Sequence, residues 1–102
     1  MFYAIKMLKR YHDNSFMNYD WAMAHGGIHA SDYETVWRGN ITDKGSVTAT
    51  LEAIYTLFNT IPPEGYENRC LCVSDLVVLD ENEITEASDV YFCDSIGFKK
   101  LN

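Results

Sequence analysis

Two histidines and two cysteines are spaced closely enough to raise the question of a metal site. Three residues separate His25 from His29, and one residue separates Cys70 from Cys72. Four nitrogen and sulfur ligands are typical of tetrahedral zinc, but structural zinc sites generally leave about two to four residues between paired cysteines. A Gly-Gly pair also interrupts the helical spacing of the histidines. The sequence therefore favours packed thiols and predicts no metal and no other cofactor.

Two short pairs could suggest nucleophilic catalysis. Cys93 precedes Asp94, and Ser74 precedes Asp75, while the three histidines lie far away in sequence. Adjacent residues of a strand point to opposite faces, so neither pair cooperates directly. Ser74 and Asp75 are more typical of a turn or backbone cap before a strand. We expect no enzyme; a Cys/His-dependent enzyme stays an alternative, which a cleft joining a histidine to a cysteine or to Asp75 would support.

Acidic residues are concentrated in the C-terminal part of the chain. The formal net charge is −7, and residues 64–102 hold nine acidic but only three basic side chains. The run "DENEITE" (80–86) contains too few apolar residues to desolvate its carboxylates, so it predicts a solvated loop and no acid–base chemistry. The acidic potential disfavours direct nucleic-acid binding and favours a protein partner with a basic surface. Solubility alone is the alternative explanation.

The candidate contact residues follow from this charge and from the 14% aromatic content. Carboxylates of the predicted loop could replace phosphates on a basic target, and exposed aromatic side chains could supply affinity. Large core residues are the alternative role for each aromatic. The candidate binding residues are Asp80, Glu81, Glu83, Glu86, Tyr66, Trp21 and Trp37.

The hydropathy pattern predicts a single α+β domain over residues 1–102. Alternating apolar and polar residues indicate strands at 2–8, 33–38, 71–80 and 89–95, and the 3.6-residue period indicates helices at 16–24 and 47–60. We expect Gly26 and Gly27 to end the first helix and Ser46 to cap the second, whose apolar stripe is Val47, Leu51, Ile54 and Phe58. The order β-α-β-α-β-β, ending in an antiparallel pair, favours a mainly antiparallel sheet with two helices on one face. Gly97 is expected to have a positive φ that folds Phe98 back onto the core.

Neither a signal peptide nor a membrane span is expected. Lys6, Lys9 and Arg10 interrupt the apolar residues near the start of the chain. No window approaches the ~20 apolar residues that a membrane-spanning helix needs. We therefore expect a cytoplasmic protein with reduced thiols and no membrane partner.

The C-terminal third resembles the signature of the YodL-like domain, a small bacterial family. The resemblance lies in "CLCVSDLVVLDENEITEASDVYFCDSIGFKKL", and upstream in "YAIKMLK", "YETVWRG" and "VTATLEAIYTLFNTIPPEGY". Cysteines 70 and 72 stand where the family tends to have small or polar residues. The matching signature residues are Val73, Ser74, Asp75, Val77, Asp94, Ser95, Gly97, Phe98 and Lys99.

The resemblance implies a biological context more than a reaction. YodL-like domains have no established catalytic activity, and many lie on phages and conjugative elements. This setting implies an inhibitor of a host defence nuclease, of the anti-CRISPR or antirestriction type, which acts by protein–protein contact. Interference with bacterial cell-shape machinery by a regulatory or accessory protein is the alternative that the resemblance leaves open.

Overall fold

The computed structural model describes residues 1–102 as five strands and two α-helices. The α+β class and the predicted element order are confirmed, and one short strand is added at the C-terminus. A 3₁₀ turn at Ala30–Asp32 precedes the second strand. The elements are β1 (Phe2–Leu8), α1 (Tyr19–Ala24), β2 (Tyr33–Asn40), α2 (Val47–Asn59), β3 (Leu76–Asp80), β4 (Asp89–Cys93) and β5 (Phe98–Lys100).

The strands form one antiparallel sheet in the order β2-β1-β3-β4-β5. β1 is therefore flanked on both sides, and Ile5 lies opposite Trp37 of β2 and Val77 of β3. The predicted antiparallel pairing of the last two long strands is confirmed as the β3–β4 hairpin. Neither α-helix has the length and the apolar composition of a membrane-spanning segment.

The main core lies between α2 and one face of the sheet. Ser46 caps α2 by accepting a hydrogen bond from the Ala49 N–H, as the sequence predicts. Leu51, Ile54 and Phe58 of this helix are buried, whereas Val47, expected on the same stripe, is largely exposed. The sheet residues of this core are Tyr3, Ile5, Met7, Val77, Leu79 and Tyr91.

Helix α1 lies on the opposite face of the sheet, which differs from the expected placement of both helices on one face. Tyr19 of α1 packs edge-on against Phe92, with ring centroids 5.9 Å apart. Because neighbouring residues of a strand alternate, Phe92 points away from the core that contains Tyr91. The run 76–79 of β3 is buried at every position. Both of its faces therefore need a cover.

Helix α1 also begins later than predicted. Asn18 is the N-cap, and its side chain accepts a hydrogen bond from the Trp21 N–H at 2.8 Å. Phe16, expected inside the helix, lies before it with φ 62° and is exposed. The predicted glycine ending is confirmed, because Gly26 has φ 101° and the Gly27 N–H bonds to the carbonyl of Ala22 at 2.8 Å.

The C-terminal third differs from the prediction at two boundaries. Strand β3 begins at Leu76 rather than 71, because a turn with Ser74 at φ 83° comes before it. Strand β4 ends at Cys93 rather than at residue 95. A turn in which the Asp94 N–H bonds to the Gly97 carbonyl at 3.0 Å follows it and leads into β5. Gly97 has the expected positive φ, 69°, and Phe98 packs half-buried against the α2 core.

Candidate protein-binding site

The acidic loop, residues 81–88, connects β3 to β4 at one end of the sheet. Glu81, Glu83 and Glu86 are exposed and form no ion pair or side-chain hydrogen bond. Ser88 is buried beneath them and donates a hydrogen bond to Asp80 at 2.8 Å. The loop therefore presents three carboxylates without partners, and the Ser88–Asp80 bond fixes the backbone beneath them. This agrees with the predicted solvated loop.

Asp80, predicted from the sequence as a contact residue, is only partly exposed and holds the acidic loop in place. One oxygen accepts hydrogen bonds from the N–H groups of Asn82 at 2.9 Å and Glu83 at 3.3 Å, and the other accepts from Ser88. These bonds, the Asn82 N–H first among them, lower the pKa of Asp80 below its ordinary value. Asp80 therefore supports the conformation of the loop, and Glu81, Glu83 and Glu86 are the candidate carboxylates that accept no such bond.

Few of the acidic groups in residues 64–102 are neutralised within the molecule. Asp75 pairs with Arg69 at 2.7 Å, and Asp89 pairs with Lys100 at 3.5 Å. The remaining basic residue of this segment, Lys99, lies over the ring of Tyr19 at 5.5 Å. The other seven carboxylates have no basic partner. The C-terminal part of the chain thus keeps its negative potential in the folded state.

Trp37 and Tyr66, two of the predicted contact residues, are brought together at the β2 edge. Their rings meet edge-on at 5.8 Å, and the Tyr66 ring also packs against Phe58 at 4.8 Å. The Tyr66 hydroxyl donates to the carbonyl of Arg69 at 2.7 Å, and burial raises the pKa of Tyr66 to about 12. Both aromatic residues are half-buried and extend the main core.

Trp21 lies on a different surface from the acidic loop. Its ring stacks on His25 with centroids 3.6 Å apart, and its Nε1 donates to the Asp13 carbonyl at 3.3 Å. Helix α1 is fixed at the end of β4 by the Tyr19 N–H, which bonds to Asp94 at 3.0 Å. The acidic loop enters the opposite end of that strand. The seven predicted contact residues therefore do not form one continuous site.

The signature residues Ser74 and Asp75 occupy the most heavily bonded turn of the molecule. Asp75 is fully buried and accepts two hydrogen bonds from the Arg69 guanidinium, at 2.7 and 2.8 Å, and one from the Cys72 N–H. Burial raises the pKa of Asp75, and the Arg69 and Cys72 bonds oppose this rise. The predicted turn before the strand is confirmed, and the ion pair between the buried Asp75 and the partly exposed Arg69 was not anticipated.

Ser74 links the same turn to two distant segments. Its hydroxyl accepts a hydrogen bond from the Phe16 N–H at 3.0 Å, and its carbonyl accepts one from the Tyr33 hydroxyl at 2.6 Å. Arg69 also lies 5.0 Å from the centre of the exposed Phe16 ring. A positive φ is rare for an aromatic residue, and the hydrogen bond to Ser74 is one of the contacts that hold the Phe16 backbone in that conformation.

Phe16 and Arg69 were missed as members of this cluster. Arg69 is the only basic residue between residues 64 and 98, and a buried aspartate nearby needs such a partner. That signal was available in the sequence. The position of Phe16 was not, because it depends on a contact with a residue 58 positions away.

The main surface depressions do not bring together the residues that a Cys/His-dependent enzyme would need. None of the five joins a histidine to a cysteine or to Asp75. One of about 310 Å³ contains His12, Ser31 and Asp32. The His12 Nδ1 accepts a bond from the Asn14 N–H, and its Nε2 lies 3.5 Å from Asp32, so neither nitrogen is left for Ser31. No three His, Cys, Asp or Glu side chains are grouped as metal ligands.

Comparison with known proteins identifies one relationship. The family model described as "YodL-like domain" matches residues 2–102, which is nearly the whole chain. Neither the curated proteins nor the solved structures contain a significant match.

Proposed function

The chain belongs to the YodL-like domain family, and from this premise we propose that it is a non-enzymatic protein-binding module. Its target is a host protein with a basic surface, and the proposed target class is a defence nuclease of the restriction or CRISPR type. The domain then acts as an inhibitor encoded by a phage or another mobile element. It works in the cytoplasm, without a cofactor, a membrane or direct contact with nucleic acid.

The observation that carries this proposal is the unpaired charge of the acidic loop. Glu81, Glu83 and Glu86 are exposed and lack a basic partner, and Asp80 and Ser88 hold the backbone beneath them. Fixed carboxylates can occupy phosphate positions on a surface that normally holds nucleic acid. Such complementarity mainly raises the association rate, and it weakens as salt screens the charges.

The aromatic candidates have different places in this proposal. Tyr66 packs against Phe58 and donates its hydroxyl to the backbone, so it supports the fold more than a partner. Trp37 lies beside it on the outer strand β2. Trp21 lies on the face of the sheet opposite to α2. A target that binds the acidic loop can contact Trp21 as well only if it is large or has a second binding surface.

Affinity purification from a bacterial host tests the proposal directly. The wild-type protein is used as bait beside the triple variant E81Q/E83Q/E86Q, and retained proteins are identified by mass spectrometry. The expected result is a retained nucleic-acid-binding protein that the triple variant loses. The purified pair should bind more weakly as the salt concentration rises.

A matched control separates the loop from total charge. The variant E34Q/E64Q/E67Q removes the same number of exposed carboxylates from other parts of the chain. It should retain the partner. Equal binding by wild type and both triple variants, with no response to salt, would exclude phosphate mimicry by the acidic loop.

A further inference from the structure

Cys70 and Cys72 form a close pair of thiols at the surface. Their sulfur atoms are 3.4 Å apart, and the Cys72 thiol lies at the same distance from the Cys70 carbonyl. Leu71 between them is fully buried, and its carbonyl accepts a hydrogen bond from Asn59 at 3.0 Å. Anchoring Leu71 on the inner side leaves both thiols on the outer side. The proximity is therefore a consequence of how this segment is attached to α2.

The two thiols differ in access from the third one. Cys70 is exposed and Cys72 is half-buried, whereas Cys93 is buried in β4. Burial raises the pKa of Cys72 and raises that of Cys93 to about 12. A small thiol reagent in solution can therefore reach Cys70 first, and Cys72 is the only other thiol in position to react next.

We propose that Cys70 and Cys72 are an oxidisable dithiol site that exchanges with low-molecular-weight disulfides such as oxidised glutathione. The Cys70 thiolate attacks one sulfur of the small disulfide, forms a mixed disulfide and releases one small thiol. Cys72 then attacks the Cys70 sulfur and releases the second small thiol. Two protein thiols lose two electrons and two protons, and the small disulfide becomes two thiols. This chemistry is independent of the protein binding proposed above.

The geometry suits a reversible bond. Closing the pair requires the sulfurs to approach from 3.4 Å to about 2 Å, and no other residue lies between the two thiols in sequence except Leu71. A ring closed across a single residue is small and exposed to solvent. Exposed or strained disulfides have more oxidising potentials and are the labile ones. The site therefore fits a redox-responsive bond, reduced at rest, and not a permanent cross-link.

The dithiol is also linked to the turn that carries the signature residues. Arg69 donates to the Cys70 carbonyl at 3.0 Å, and the Cys72 N–H donates to Asp75 at 2.8 Å. The same two residues, Arg69 and Asp75, form the buried ion pair. Oxidation therefore takes place beside the contacts that hold this turn.

The test uses the folded, fully reduced protein. It is equilibrated with excess oxidised glutathione at mildly alkaline pH, quenched with an alkylating maleimide and examined by intact mass and peptide mapping. The expected product has an internal Cys70–Cys72 disulfide and a Cys93 that is alkylated only after unfolding. Dithiothreitol should restore both thiols.

Two variants make the result specific. C72S should stop at a single mixed disulfide between Cys70 and glutathione, and C93S should behave like the wild type. The melting midpoint and circular dichroism of each variant establish that it is folded. The proposal is overturned if the wild type, at equilibrium, retains two free thiols or carries glutathione on Cys70 while Cys72 stays free.

Discussion

At the scale of single residues, the two halves of the signature act as local caps. Asp75 binds Arg69 and the Cys72 N–H, while Asp94 accepts from the Tyr19 and Ser95 N–H groups. Both carboxylates lie at the same end of the β3–β4 hairpin, where Asp75 holds the preceding segment 69–72 and Asp94 holds the start of α1. These bonds give both aspartates a role in the fold.

Substitution of Arg69 should lower the stability of the protein, because it leaves the buried carboxylate of Asp75 without a charged partner. Asp75 is fully buried and Arg69 retains 38% side-chain exposure, so R69M should lower the free energy of unfolding by about 3 kcal/mol, the low end for a broken buried pair. The unpaired carboxylate should keep a raised pKa in the folded state. The deficit is therefore fully present at high pH and shrinks as the pH falls through that raised pKa.

Urea unfolding of R69M at several pH values measures this effect. The exposed Arg38, which forms no ion pair, supplies the control R38M. The double variant R69M/D75N should recover part of the loss, because it removes the buried charge. Equal stability of R69M and R38M would contradict the assigned role of the pair.

Phe98 gives a second prediction at this scale. Its ring packs edge-on against Tyr55 with centroids 6.5 Å apart, but the side chain is only half-buried. F98A should therefore cost about 2 kcal/mol, roughly half the value for a fully buried phenylalanine. The control is I96A at a site that is 92% exposed. Thermal unfolding that left F98A and I96A indistinguishable would show that Phe98 adds nothing to the core.

At the scale of elements, local pattern predicted the long strands and α2 well. The alternation in β1 and β2 and the capped stripe of α2 are strong local signals. Helix α1 was extended too far, because the side-chain period cannot detect that Phe16 has a positive φ and bonds to Ser74, 58 residues away. Strand β5 was missed because three residues carry too little pattern.

The candidate site was less predictable than the fold, for a physical reason. Composition alone identified the acidic loop, and its exposed glutamates lie where the sequence placed them. The sequence could not distinguish the role of Asp80 from that of the loop glutamates. That role depends on Ser88, eight residues away, which folds back and donates a hydrogen bond to Asp80. The continuous apolar run at 76–79 was the available sign in the sequence that both faces are covered, since a strand covered on one face alternates.

The acidic loop should lose its local order when Asp80 is removed. D80A deprives the Asn82 and Glu83 N–H groups and the Ser88 hydroxyl of their acceptor. Hydrogen exchange at residues 82 and 83 should accelerate markedly, while exchange in β1 stays unchanged. Because the folded pKa of Asp80 is lowered, its contribution is present above the unfolded pKa and is lost as the pH falls through the folded pKa.

Wild-type exchange at residues 82 and 83 should accordingly show increased opening under acidic conditions, after correction for the intrinsic pH dependence. E81Q provides the control, because Glu81 accepts none of these bonds. Protection in D80A equal to that in E81Q would mean that the loop is ordered by other contacts.

At the scale of the whole molecule, the charge distribution opposes folding. The chain has 15 acidic and eight Lys or Arg residues, and only Arg69 and Lys100 are paired with carboxylates. A large net charge destabilises the compact state through self-repulsion. The unpaired carboxylates, three of which lie in the acidic loop, therefore repel one another in the folded state.

Salt should therefore stabilise this protein while it weakens the proposed complex. Raising the ionic strength from about 0.01 M to about 0.5 M shortens the screening length from roughly 30 Å to less than 10 Å. The melting midpoint of the wild type should rise over this range, because repulsion among the carboxylates is screened. E81Q/E83Q/E86Q should start with a higher midpoint and rise less, and E34Q/E64Q/E67Q should change in the same direction. Only the acidic-loop variant should also lose binding, which separates a contact surface from charge that serves solubility. A wild-type midpoint that falls or stays constant with salt would refute the self-repulsion argument, whatever the binding result.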